Sequence, residues 1–169
     1  VGEGIRQSGI DRRELFLVTK VNFKSYEHAE QTVMQSPENL QTDYLDLLLL
    51  HWLFANYYAA WRTLEKLYGD GRVRAIGVSN WSLDRVLEAN AYAESIGMPK
   101  LVINEIQWGY AYLNNEMRED PSVSIMNPEM HRQYEAHSIP IISFTSQDSG
   151  LWSYLYSGKE TWDTLKSSR

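Results

Sequence analysis

The run of four leucines in DYLDLLLLHW, residues 43–52, constrains the fold more than any other stretch of the chain. Side chains alternate between the two faces of a strand, so four successive leucines require burial on both sides. That is the pattern of a parallel strand inside a sheet covered by helices. Four more short apolar runs recur along the chain: ELFLVTKV (14–21), VRAIGVSN (73–80), LVINEIQW (101–108) and PIISFTS (140–146). Between them lie segments with helical character. SYEHAEQTVMQSPENLQ (25–41) carries a break or restart at Ser36-Pro37. YAAWRTLEKLYGDG (58–71) sets Trp61, Leu64 and Leu67 on one face and stops at its glycines. LDRVLEANAYAESIGM (83–98) follows Ser82 as cap, and NPEMHRQYEAHSI (127–139) has Asn127 as cap and Pro128 at its first position. The tail from Leu151 reads as helical or irregular. The order is β-α repeated, with a spacing of about 25–40 residues between strands, as βαβ units require. An open doubly wound sheet and part of a (β/α)8 barrel both fit it.

Composition narrows the partners. The chain has 169 residues, the size of one ordinary domain, and a net charge of −6 with no basic tract, which argues against nucleic acid or an anionic membrane as partner. There is no cysteine, so thiolate metal sites and disulfides are excluded and a cytoplasmic location is the default expectation. No apolar run approaches the roughly 20 residues of a membrane span. The opening VGEGIRQSGI has no signal-peptide pattern and no initiator methionine.

In parallel α/β folds the C-terminal strand ends converge on one mouth. Here those ends carry Lys20, His51, Ser79-Asn80, Asn104-Glu105 with Gln107, and Thr145-Ser146. The N-terminal ends read as ordinary charged turns. Each residue also has a plainer reading. Lys20 alone is a solvated strand end, His51 alone is a hydrogen-bonded core histidine, and GVSN alone is a turn into the next helix cap. His28, His131 and His137 lack ligand spacing and read as surface residues, so no metal site is expected. Neither a GxGxxG fingerprint nor a GxSxG elbow is present.

ELFLVTK, TDYLDLLLLHW, AWRTLEKLYGDGRVRAIGVSN and LVINEIQW together resemble the central portion of an aldo-keto reductase, in family order over about residues 1–150. GRVRAIGVSN is the most specific segment. The ending ISFTSQDSGLW is similar to members with a Ser-Gln pair after this strand. The resemblance implies a (β/α)8 TIM barrel, NADPH as cofactor, and reduction of an aldehyde or ketone without metal or flavin. In the family a tyrosine donates a proton to the carbonyl oxygen, a lysine lowers its pKa, an aspartate pairs with the lysine and a histidine orients the carbonyl. By position, Lys20 matches the lysine and His51 the histidine. Ser79 and Asn80 match the pair that bonds the nicotinamide carboxamide. Phe144 falls at the aromatic stacking position, followed by Thr145 as a further cofactor contact. Glu105 stands where the family has a glutamine, and keeps an acceptor but loses a donor.

The same resemblance implies that the chain, taken as a single domain over 1–169, holds about five of eight βα units, the family's strands 3 to 7. A complete barrel takes about 250 residues. The first two strands, with the catalytic aspartate and tyrosine, and the eighth, with the loop for the adenosine 2′-phosphate, are expected to be missing. The fragment is therefore expected to be inactive alone and, with two open sheet edges, to self-associate. A non-catalytic nicotinamide-cofactor-binding or regulatory protein on the same barrel is the alternative. A metal-dependent (β/α)8 hydrolase is a third reading, without a ligand set to support it. The aromatics Phe54, Tyr57, Tyr58, Tyr110 and Tyr112 suit a planar carbonyl substrate, and packing accounts for them equally.

Overall fold

A computed structural model describes residues 1–21, 31, 35–36, 38–51, 57–111, 124–159 and 161–167. The expected helix at 25–41, with Pro37 and His28, falls largely outside them, as do Phe54, Tyr112 and the side chains of Tyr57 and Tyr58.

Five parallel strands form one sheet in sequential order: β1 Val18–Val21, β2 Leu47–Leu50, β3 Ile76–Ser79, β4 Asn104–Gln107 and β5 Ile141–Phe144. Each expected strand is present, and each is shorter than its apolar run. Arg12–Glu14 forms a 3-10 turn, and Leu45 and Val73 make only an isolated bridge ahead of β2 and β3. The helices are α1 Gly2–Ser8, α2 Tyr57–Gly69, α3 Leu83–Ser95, α4 Pro128–Ala136, α5 Leu151–Tyr156 and α6 Trp162–Ser167. Asn127 caps α4 as expected, its side chain accepting from the Met130 N–H at 2.8 Å, with Pro128 in the first turn. Ser82 occupies the cap position of α3 but makes no side-chain cap bond.

Trp61, Leu64 and Leu67 of α2 and Val86, Ala89 and Ala93 of α3 pack with Val21, Leu48, Leu50, Ile76, Val78 and Ile106 in one buried core. These strand residues therefore face the helices. Alternation puts Lys20, Leu49, Gly77, Glu105 and Phe144 on the opposite face. Gly77 is required there: a Cβ would come within 2.7 Å of Leu49 Cδ2 and of Ile103 Cγ2. All four residues of β2 and of β3 are buried, whereas the outer strands β1 and β5 are partly exposed.

The N-terminal ends of the strands are more than charged turns. Asp46, directly before β2, is buried and accepts from the Leu17 N–H at 2.9 Å and from Arg12 Nη2 at 2.8 Å, with Arg74 Nη1 at 3.3 Å. The Tyr44 ring lies between the two guanidinium groups, 3.9 Å from Arg12 and 3.7 Å from Arg74. A buried charge is tolerated only where it is paired and hydrogen-bonded, and Asp46 is both. This cluster ties the segments leading into β1, β2 and β3 together, on the end of the sheet away from the candidate site.

Candidate functional site

At the opposite end the strands deliver their polar residues to one place. Lys20, third in β1, donates from Nζ to Glu105 Oε1 in β4 at 2.7 Å. The Glu105 side chain is about a tenth exposed and that of Lys20 just over a third. In a flat sheet, strands three apart lie about 14 Å from one another. The bond between β1 and β4 therefore requires a sheet curled toward this face, as in a barrel wall. Lys20 Nζ also lies 5.8 Å from the centre of the Phe144 ring.

His51 follows β2 directly, its N–H bonded to the Val21 carbonyl at 3.0 Å. Its side chain is half-buried. Burial pulls its pKa below the ordinary histidine value, the Lys20 ammonium pulls it further down, and the Glu105 carboxylate pushes it back up. The neutral imidazole is thus favoured, leaving one ring nitrogen as acceptor and one as donor.

Ser79 and Asn80 end β3 and are both buried. Asn80 takes φ 64°, a left-handed conformation that asparagine adopts more readily than most residues. Its N–H is held by the Glu105 carbonyl at 2.9 Å, and Nδ2 reaches Ser79 Oγ at 3.3 Å. Asn80 Oδ1 is buried without a hydrogen-bond partner among the described residues. An orphaned buried acceptor of this kind fits an amide donor supplied by a ligand, as a carboxamide would.

Behind this turn stands a network that the sequence did not single out. Asn104 Nδ2 donates to the Trp81 carbonyl at 2.8 Å and to Tyr134 Oη at 2.7 Å, and Tyr134 Oη donates to the same carbonyl at 3.3 Å. Burial raises the Tyr134 pKa, so the phenol keeps its proton. Another unanticipated feature links the loops after β4 and β5. Asp148 accepts from the Ala111 N–H at 3.0 Å and from Trp152 Nε1 at 2.5 Å, and its carboxylate fills the space a side chain at Gly109 would occupy. Gly109 directly after a strand was the visible signal.

Lys20, Glu105 and Phe144 are brought together by the Lys20–Glu105 bond and the approach of the ammonium to the Phe144 ring, and His51 shares their electrostatic field. Ser79 and Asn80 join through the backbone bond to Glu105. Thr145 turns the chain at φ 54°, and its carbonyl accepts from the Asp148 N–H at 2.8 Å. Tyr110 is 84% exposed, and His137 is exposed. His131 is partly exposed, and its ring lies 5.0 Å from that of Trp108. Among the described residues no group of three His, Cys, Asp or Glu side chains is arranged to hold a metal ion, and no helix is long and apolar enough to cross a membrane.

A curled parallel sheet with polar residues gathered at its C-terminal strand ends is one wall of a (β/α)8 barrel with its mouth. Sequence comparison agrees: residues 1–167 match the Aldo/keto reductase family, and the chain belongs to it. It is 41% identical over 122 residues to the glyoxal reductase of Bacillus subtilis (strain 168), an alignment covering 70% of this chain and 43% of that protein. The structure is similar to that of an aldo-keto reductase enzyme from a Medee basin deep-sea metagenome library, with a TM-score of 0.66, 28% identity, and 86% and 49% of the two chains covered. An aldo/keto reductase from Klebsiella pneumoniae, solved in complex with NADP and acetate, shares the fold at a TM-score of 0.63 and 24% identity, over 86% of this chain and 46% of its own. The chain thus spans about half the length of these relatives or less.

Proposed function

We propose that the mouth formed by Lys20, His51, Ser79, Asn80, Glu105 and Phe144 belongs to a site for NADPH-dependent reduction of an aldehyde or ketone. The observation that carries this reading is the gathering of these residues, in family order, around the Lys20–Glu105 bond. NADPH, when bound, supplies the hydride. The chain's own residues bind and orient: Asn80 Oδ1 accepts from the carboxamide, Ser79 Oγ lies beside it, and the Phe144 ring offers a stacking face. His51, favoured neutral, donates a hydrogen bond to the carbonyl oxygen without surrendering a full proton. Lys20 holds a positive charge at the mouth, where it favours the ionised form of a nearby phenol.

That phenol is not among residues 1–19, which contain no tyrosine. Asp11, the one aspartate ahead of Lys20, bonds the Arg13 backbone and guanidinium and is not the lysine's partner. A positioned general acid contributes about 10²–10⁴-fold, so these 169 residues by themselves bind cofactor without appreciable turnover. The test is NADPH oxidation with glyoxal as substrate, followed by absorbance. No rate above the protein-free background is expected; clear turnover would refute the need for a tyrosine from outside this segment.

The same cofactor-side residues, Ser79, Asn80 and Phe144, also serve a second reading, a nicotinamide-cofactor-binding protein that performs no reduction. Coding sequence in frame ahead of Val1 separates the two. An aspartate and a tyrosine on strands there belong to a reductase, and their absence to a binding protein.

A further inference from the structure

We propose that Glu105 is a counter-ion of Lys20, a positioning residue that fixes the ammonium across the mouth and, with it, biases the protonation of His51. The geometry gives the carboxylate this part. Its Oε1 lies 2.7 Å from Lys20 Nζ, and the two residues are 85 positions apart in sequence and three strands apart in the sheet. Glu105 lies almost wholly out of solvent, where a carboxylate is stable only with a partner, and among the described residues Lys20 is the cation paired with it.

Among the described residues, Lys20 of β1 and Glu105 of β4 are the charged groups that act on His51. The histidine therefore feels a pair whose two charges act in opposite senses. Removing one partner leaves the other uncompensated, so the two removals move His51 in opposite directions. A glutamine at this place would bring no charge against the lysine's. The carboxylate instead moderates it, which deepens the reductase reading by assigning Glu105 an electrostatic task beyond touching the cofactor. The assignment rests on that reading for its catalytic meaning, but not for its test.

The test is an NMR pH titration of the histidine ring signals in the cofactor-free chain, with His51→Gln to assign the resonance among four histidines. Glu105→Gln, nearly the same shape, is expected to lower the His51 midpoint, and Lys20→Met to raise it. A role in packing alone would not produce shifts of opposite sign. If the midpoint stays put in both variants, or moves the same way in both, the counter-ion assignment is overturned. Because no cofactor is added, failure of NADPH to bind leaves this result standing. Conversely, an unmoved midpoint removes the assignment without touching the cofactor reading.

Discussion

Single residues at the two ends of the sheet do opposite work. At the N-terminal end Asp46 is a stability device. Burial opposes its charge, but the Leu17 N–H, the bond from Arg12 and the charges of Arg12 and Arg74 outweigh it and hold its pKa below the usual aspartate value. A carboxylate lowered on folding stabilises above its unfolded pKa of about 3.9, and that stabilisation is lost as pH falls through the lower folded value. Asp46→Asn leaves two guanidinium groups without their shared partner and should cost about 3 kcal/mol at neutral pH, read as a lower urea midpoint at unchanged slope. The deficit should shrink below about pH 4 as the wild-type carboxyl protonates. At the C-terminal end His51 moves stability with pH in the same sense, in a higher pH range. Its folded pKa is depressed, so the unfolded chain takes up a proton first as pH falls. Stability should therefore decline below about pH 6.5, the unfolded histidine value, and His51→Gln should flatten that limb of the profile.

At the scale of elements, β3 is the most tightly constrained strand. Its Gly77 lies against the Leu49 side chain and the Ile103 backbone, whose carbonyl oxygen would sit 2.9 Å from an added Cβ. Backbone cannot swing aside as a side-chain tip can, so Gly77→Ala should destabilise by about 1–3 kcal/mol, measured by thermal or urea unfolding. The five strands and the helices between the described ones were legible because apolar runs and helical periodicity are local signals. Strand ends were less so. Leu17 before β1 and Ala75 before β3 are apolar but lie outside the paired register. Lys20, His51, Ser79 and Asn80 were readable as a group from their place after apolar runs together with the resemblance. The Lys20–Glu105 bond was not, because it depends on how far the sheet curls. The Asp46 cluster hid for a related reason: aspartate and arginine before a strand look like any polar turn until burial is known. Asn104 and Tyr134 carried no motif, and only the packing of α4 against β4 brings their polar atoms together.

Over the whole molecule the decisive feature is a curled sheet with two unpaired edges among the described residues, β1 and β5. Near the β1 edge Phe16 is 68% exposed and Val18 44%. Unpaired parallel edges with exposed apolar side chains template association with other chains. The isolated 169-residue chain should elute in size-exclusion chromatography ahead of the monomer position and shift with concentration. A sharp monomeric peak with cooperative melting would count against open edges. The curl is itself maintained in part by the bond between β1 and β4, so the device proposed to tune the site also helps hold the wall in shape. Whether that wall receives a nicotinamide cofactor is the central claim. Its most direct test is NADPH titrated into the 15N-labelled chain, with the backbone amides followed by NMR. The amides of Ser79, Asn80 and Glu105 are expected to shift together and saturably while those around Asp46 stay still. Shifts confined to the Asp46 end, or none at millimolar NADPH, would contradict it.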